Sequence, residues 1–294
     1  MKRYAFLYNP AAQGGKSGVK LERLREFISE FEDACLFHSQ DIGDITDFIE
    51  QNFDEFDVFV ACGGDGTVRE VAATLINTHK QMGIIPLGTG NDLCKTLNIP
   101  VKLEQSFSVL KQENAVSIDV GQCNNFIFLN SLGFGFDGLT NRYALQLKHL
   151  HPFLTYAISA LKAVINHTSF EVTIIKKENI SKEHAIMFSL ANGRVEGGSF
   201  WIAPNASITD GKLNAILIKP IAKWIIPVLL PLFLFKKSHL IPQVKSAKIE
   251  KLSLNFNGDV DIHADGEVIE NRSNKFIISL EANALEVICP PTII

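Results

Sequence analysis

The sequence predicts two domains of different class. The first, over residues 1–117, is a doubly wound α/β domain, and the second, over residues 118–280, is an antiparallel β-sandwich. Three observations carry this. The chain has 294 residues, about two domains' worth. Its first hundred residues alternate apolar strand, glycine-rich loop and amphipathic helix. Beyond residue 118, short β-branched and aromatic runs are separated by glycine turns.

In order along the chain, Tyr4 to Tyr8 reads as a strand stopped by Asn9 and Pro10, before a small-residue loop from Ala11 to Gly18. Leu21, Leu24, Phe27, Ile28 and Phe31 then recur at helical spacing. Residues 34–38 form a short strand and 44–52 a helix. Asp57 to Cys62 is a continuous apolar run ending in glycines, as a strand buried on both faces should be. A helix from Val68 to Asn77 and a strand from Gly83 to Leu87 follow. In the second half, strands are expected at 116–121, 125–129, 170–176, 185–191, 212–218, 248–256, 261–264 and 276–280, with one helical insertion from Tyr143 to Ile165.

Composition removes several classes. Hydrophobic residues make up 46% and charged residues 20%, so neither disorder nor a collagen-like repeat is the organising principle. The net charge of −4 gives no electrostatic reason to expect nucleic acid. Five widely spaced cysteines, without Cys-x-x-Cys, point away from zinc and disulfide frameworks and toward a reducing cytoplasm. The amino terminus lacks the long apolar core of a signal peptide. Phe is abundant, with 21 residues, and the longest apolar stretch, Trp224 to Phe235, is broken by Pro227 and Pro231 and is too short to span a bilayer.

Three loops follow strands in the α/β half: Asn9 to Gly18, Gly63 to Thr67, and Pro86 to Asp92 with Gly88, Thr89, Gly90 and Asn91. Glycines let backbone N–H groups approach phosphate oxygens, and a following helix N-terminus adds a favourable dipole. Ligands of such sheets bind beyond the carboxyl ends of the strands. Together the loops define a candidate nucleoside triphosphate site, although neither a Walker A sequence nor Gly-x-Gly-x-x-Gly is present. Asp65 stands in the middle loop as a candidate Mg²⁺ ligand, with a helix N-cap as its structural alternative.

These motifs, in this order, resemble the diacylglycerol kinase catalytic-domain family, which includes sphingosine and ceramide kinases and soluble bacterial lipid kinases. The resemblance continues through Ile118 to Gly121, Asn130 to Asp137, Asn192 to Arg194, Gly197-Gly198, Ala203-Pro204, Asp210-Gly211 and Asp265-Gly266-Glu267. It implies an ATP- and Mg²⁺-dependent kinase for a diacylglycerol-like lipid alcohol, with an active site in the cleft between the domains and residues 281–294 returning to the first domain. Gly63, Gly64, Asp65, Gly66, Thr67, Val68, Arg69 and Thr89 match ATP-binding positions. Asn9 matches the first loop and Ser39 a further nucleotide contact; Gly88, Asn91 and Asp92 complete the third loop. Asp65 matches the acid tied to Mg²⁺–ATP and Glu267 the proton acceptor. Ser207, Asp210 and Lys212 match a secondary Mg²⁺ site of bacterial members. Lys212 departs from the commoner Leu, and Arg69 from the commoner Asn or small residue.

On spacing alone, Asp265-Gly266-Glu267 is a hairpin turn; the resemblance makes Glu267 a general base for in-line transfer. Asp265 is a neighbour that could orient or repel it. An NAD kinase and a non-catalytic nucleotide sensor on the same scaffold are the alternatives. The lipid-kinase form of the 86–92 loop and the final Glu267 weigh against the first. Retention of both Asp65 and Glu267 weighs against the second. The expected partners are a lipid alcohol, a transient membrane surface and a second copy in a homodimer, with no nucleic acid. Residues 224–237, apolar and ending in Lys236-Lys237, are the candidate membrane-interface segment, with packing on the sandwich as the alternative.

Overall fold

Strand β1 (Tyr4–Tyr8) is buried at every position. After helix α1 (Gly18–Ile28), β2 (Ala34–His38) pairs parallel with one side of β1. After α2 (Asp44–Gln51), β3 (Val58–Gly63) pairs parallel with the other side. The computed structural model describes residues 2–11, 18–147, 152–270 and 273–291, and for 18–20 and 152 the backbone alone. The expected loop from Ala11 to Gly18 thus falls mostly outside the described residues. Helix α3 (Asp65–Leu75) buries Val68, Val71, Ala72 and Leu75, one stripe of a 3.6-residue period. Then come β4 (Gln81–Pro86), parallel to β3, the short α4 (Asp92–Thr96) and α5 (Leu103–Gln112). Because β2 and β3 flank β1, the strand order reverses there. The carboxyl ends of β1 and β3 form the switch point at which such sheets hold ligands.

The chain divides into two compact units, Met1–Ile118 with Asn283–Ile294, and Asp119–Ala282. The second unit takes up the chain within β5 (Ala115–Cys123), which pairs with β6 (Phe126–Phe128). Next are β7 (Ser131–Gly135), α6 (Phe136–Leu145), α7 (Pro152–Asn166), β8 (Phe170–Lys176), β9 (Asn179–Ala185), β10 (Met187–Ala191) and β11 (Leu213–Ile218). The chain continues through α8 (Ile226–Leu234), β12 (Val244–Ile249), β13 (Lys251–Phe256), β14 (Ile262–Ala264), β15 (Glu267–Val268) and β16 (Lys275–Ile288). One antiparallel sheet runs β12-β11-β10-β7-β14-β15, and opposite it β13 pairs with β8 and β16. Phe134, Phe188, Leu190 and Leu217 from the first face Leu254, Phe256 and Phe276 from the second in one core, which is a sandwich. In β10 and β11 the alternate residues Met187, Ala191, Ile216 and Ile218 turn to a second core under α7 and α8, as a period of two requires.

The phenylalanines account for both hearts. Phe6 and Phe27 stack on Phe107 of α5 at 5.7 and 5.0 Å. In the sandwich, Phe134, Phe256 and Phe276 meet at 4.9–5.8 Å, separations at which aromatic pairs add to area burial.

Several elements differ from expectation. The single insertion at 143–165 is two helices, α6 beginning at Phe136. The expected strand 248–256 is two strands broken at Glu250, and 185–191 joins two strands at Ile186. The expected strand 276–280 runs on to Ile288, and its Glu286 and Val287 pair parallel with Gln81 and Met82 of the first unit. Helix α5 and strands β7 and β9 were not expected. Pro231 lies inside α8, a helix of nine residues. Among the described residues no helix is long and apolar enough to cross a membrane.

Candidate functional site

In the first unit the three loops meet through backbone. Asn9 N–H donates to the Cys62 carbonyl (3.1 Å), and its Nδ2 donates to Thr67 Oγ1 (3.1 Å). The N–H groups of Leu87 and Gly88 donate to the Gly63 carbonyl at 2.8 and 3.1 Å. A Cβ built on Gly88 would lie 2.5 Å from Gly64 Cα, so these two backbones touch with no room for a side chain. Asp65 closes the arrangement: its Oδ2 accepts from Asn91 N–H (2.9 Å) and its Oδ1 from Asp92 N–H (3.0 Å). It therefore caps α4, the helix that begins at Asp92. Asn91 holds a left-handed backbone (φ 50°) and donates Nδ2 to the Gly88 carbonyl.

The N-cap residue of α3 is Gly64, which has no side chain to cap it. The helix's first-turn N–H groups, at Asp65, Gly66 and Thr67, are oriented as an anion-binding terminus requires. Ser39 lies at the end of β2 against the Tyr8 carbonyl, beside Asn9. Val68 contributes no side chain to a ligand, being packed in the core, whereas Thr89 is exposed. The structure thus gathers Asn9, Ser39, Gly63, Gly64, Asp65, Thr67, Gly88 and Asn91 at the ends of neighbouring parallel strands. Lys95, which sequence reasoning passed over, donates to the Gly90 carbonyl (2.6 Å) and pairs with Asp92 (3.2 Å). It brings an ammonium to the third loop.

In the second unit, Ala264 and Glu267 pair across a two-residue turn whose central residues, Asp265 and Gly266, have φ of 49° and 81°. Both positive values are those of a type I′ hairpin. The Asp265 carboxylate accepts N–H groups from Leu129, Asn130 and Ser131 at 2.8–2.9 Å. It orients the turn through the backbone. Glu267 itself is exposed at the turn.

Behind this hairpin lies a charged cluster that no local spacing announces. His263, wholly buried in β14, has Nε2 2.7 Å from Glu196 Oε1 and 3.1 Å from Asp137 Oδ2, hydrogen-bond aligned with neither. Ser189 donates its hydroxyl to Asp137 (2.5 Å). A Cβ on Gly133 would fall 2.1 Å from Asp137 and 2.3 Å from His263, so only glycine permits the convergence. Burial opposes His263's charge, but the two carboxylates win and raise its pKa well above the usual value. Asp137, although desolvated, is held below its usual value by His263 and Ser189. Burial and the neighbouring Asp137 charge push Glu196 up to about 7.

Asp137 and Glu196 also line a partly open pocket of about 80 Å³ between α6, α7, α8 and the sheet. Its other walls are apolar, among them Ala160, Met187, Ile218, Ile226, Leu230 and Phe233. Tyr156 donates to Asn141 (3.2 Å) at the polar end. Gly266 abuts the same wall: a Cβ there would be 3.4 Å from Tyr156 Oη and 3.8 Å from Asn141 Oδ1. The cavity's polar end and the Glu267 turn are therefore adjacent.

The position matched to a secondary Mg²⁺ site is different in character. Asp210 is paired with Lys248 (2.5 Å), and the exposed Lys212 shares a hollow with Lys176, Lys177, Lys248 and Lys251. A divalent ion there would have to displace an ammonium from Asp210 in cationic surroundings. The nearby Asp119 carboxylate accepts Gly211 N–H (2.7 Å) and so fixes the loop.

The candidate interface segment is divided by its helix. Ile226 and Phe233 are buried in the second core, while Trp224, Val228 and Phe235 are 70–78% exposed. On the adjoining α7, Leu154, Ile158, Leu161 and Ile165 form an exposed stripe at helical spacing. Lys236 is not merely solvated, since its Nζ lies 3.7 Å over the Trp201 ring.

Known protein families match both halves of the chain. Residues 3–123 match the diacylglycerol kinase catalytic domain, and residues 130–289 match the YegS C-terminal NAD kinase beta sandwich-like domain. A probable lipid kinase YegS-like protein of Yersinia pestis is 30% identical over 240 residues, covering 79% of this chain and 78% of the relative. A diacylglycerol kinase of Staphylococcus epidermidis is 25% identical over 274 residues, covering 90% and 86%. The crystal structure of a diacylglycerol kinase from Bacillus anthracis superimposes with a TM-score of 0.77 at 21% identity, covering 100% of this chain and 98% of that one. An NAD kinase from Archaeoglobus fulgidus, solved with ATP, gives 0.57 at 13% identity, covering 99% and 95%, a likeness of fold. The chain belongs to the diacylglycerol kinase catalytic-domain family, in its bacterial YegS-like lipid kinase form.

Proposed function

We propose that this chain transfers the γ-phosphate of ATP to the hydroxyl of a lipid alcohol in a Mg²⁺-dependent reaction. The observation that carries the reading is the apolar cavity of the second unit, whose one polar end adjoins the Glu267 turn. A polar acceptor gains nothing from this apolar lining, whereas the start of an acyl or alkyl tail does. The first unit supplies nucleotide binding. The start of α3 after Gly64 and the close-packed Gly64–Gly88 backbones suit phosphate, and Asn9 and Thr67 fix the loop edges. These residues fit Mg²⁺–ATP: Asp65 is the carboxylate of the cradle, and the ion would neutralise phosphate charge there. Asp65's backbone hydrogen bonds hold the third loop in place whether or not it also touches the ion.

Glu267 accepts the proton of the acceptor hydroxyl as the new P–O bond forms. Asp265 holds that carboxylate in position by tying the turn to three backbone N–H groups. Exposed apolar residues on α7 and α8, beside the cavity, suit contact with a bilayer interface from which the lipid is drawn. The five cysteines are free thiols, which suits a reducing compartment. The test is ATP turnover against long-chain alcohols in mixed micelles, with mass identification of the product. Lipid-dependent phosphorylation that is abolished in Glu267→Gln supports the reading. Turnover with NAD and no lipid, or ATP binding without transfer to any lipid, overturns it.

A further inference from the structure

We propose that Glu196 reads the acceptor's head group: it accepts a hydrogen bond from a second donor, a hydroxyl or an ammonium, carried beside the hydroxyl that is phosphorylated. This rests on the lipid kinase reading above and narrows its substrate class to lipids with a two-donor head.

Glu196 is 5% exposed and faces the cavity. Its Oε1 lies 2.7 Å from His263 and Asp137 is its other polar neighbour, yet neither of its oxygens meets an N–H or O–H donor in hydrogen-bond geometry. A buried carboxylate oxygen left without a donor is costly unless a ligand supplies one. The residue is also held stiffly. Its N–H donates to the Phe200 carbonyl (2.8 Å), its carbonyl accepts from Phe200 N–H (2.9 Å), and Gly197 and Gly198 follow with positive φ. A Cβ at Gly197 would strike the Tyr156 ring at 2.7 Å, so the loop is seated on the cavity wall. His263 and Asp137 flank the carboxylate, and Tyr156, bonded to Asn141, abuts both Gly197 beside it and Gly266 of the Glu267 turn. A lipid whose tail starts in the apolar pocket thus presents its head to two carboxylates with different tasks. Glu267, exposed at the turn, takes the proton of the reacting hydroxyl, and Glu196, buried, takes the neighbouring donor. A lipid with one hydroxyl and nothing beside it leaves Glu196 unpaired. Sites built to pair a donor reject analogues that lack it.

The experiment compares hexadecan-1-ol, hexadecane-1,2-diol and 2-aminohexadecan-1-ol in mixed micelles. It measures kcat/KM for each, and binding without ATP by titration calorimetry, for the wild type and Glu196→Gln. The two-donor lipids are expected to exceed the simple alkanol by about tenfold or more in kcat/KM and in affinity. The ratio is expected to fall toward unity in Glu196→Gln. Preference for the diol and the amino alcohol alike identifies a hydrogen-bond reader, and preference for the amino alcohol alone identifies a charge reader; either supports the proposal. Wild-type ratios within about threefold of unity, or ratios unchanged in Glu196→Gln, overturn it. If no lipid is phosphorylated, the kinase reading fails, and the binding ratios still decide the role of Glu196. Should Glu196→Gln not fold, the wild-type ratios alone decide.

Discussion

The carboxylate of Asp65 accepts the backbone N–H of Asn91 at 2.9 Å, a contact between the second and third glycine-rich loops of the first unit. With the bond to Asp92 N–H, it makes Asp65 the clasp of the proposed nucleotide cradle as well as its one acidic side chain on the middle loop. Asp65→Ala removes both acceptors and is expected to weaken ATP binding more than tenfold and to cost about 1–3 kcal/mol of stability. Asp65→Asn keeps one acceptor and is expected to lose less of each. Calorimetric ATP titration and thermal melting of the two variants check this order.

Gly88 and Gly64 touch through backbone, but not symmetrically. A methyl on Gly88 would sit 2.5 Å from Gly64 Cα, whereas one on Gly64 would sit 3.3 Å from Gly88 Cα. Backbone cannot swing aside as a side chain can, and overpacking of this kind costs about 1–3 kcal/mol. Gly88→Ala should therefore lower the melting temperature and ATP affinity more than Gly64→Ala. Equal effects from the two substitutions would show that the loops separate freely.

Much of the first unit is legible in the sequence. The runs of β1 and β3 are apolar at every position because both faces are covered, and each ends at the loop it positions. Strand β7, Ser-Leu-Gly-Phe-Gly, is hidden by its glycines, which weaken strand propensity. They are there because Gly133 must clear Asp137 and His263. Strand β9, Asn-Ile-Ser-Lys-Glu-His-Ala, ends its sheet path and is largely exposed, so it lacks the alternation that marks a half-buried strand. The glycine loops and the Asp265-Gly266-Glu267 turn are local motifs and can be found by reading along the chain. The cluster of Asp137, Glu196 and His263 cannot, since only folding brings residues so distant in sequence to one point.

That cluster gives stability a pH signature. Glu196 titrates near 4.5 when unfolded and near 7 in the fold, so the folded state holds its proton more tightly. Its contribution therefore declines as pH rises from about 4.5 to 7, by at most about 3 kcal/mol. His263, raised by its carboxylates, contributes stability below its unfolded value and loses it as pH climbs through its higher folded value. Asp137, held low, contributes above its unfolded range and loses it in acid. Denaturant midpoints at pH 5 and pH 8 should fall more steeply in the wild type than in Glu196→Gln. Equal slopes would contradict a perturbed Glu196.

Two neighbouring phenylalanines separate membrane contact from packing. Phe233 is buried and lines the cavity, whereas Phe235 is exposed. Phe233→Asp is expected to cost about 3 kcal/mol or more, as a buried charge without a partner does. Phe235→Asp should leave the melting temperature within about 2 °C, consistent with a surface change, yet weaken liposome cosedimentation severalfold. Undiminished liposome binding in both Phe235→Asp and Leu161→Asp would remove the proposed bilayer contact of α7 and the end of α8.

The most direct measurement is the fate of the γ-phosphate when the protein meets Mg²⁺, labelled ATP and a long-chain lipid alcohol in mixed micelles. The account expects label in a lipid monophosphate, dependent on the lipid and lost in Glu267→Gln while ATP still binds. Label released only as inorganic phosphate, or transferred equally well by Glu267→Gln, would contradict it.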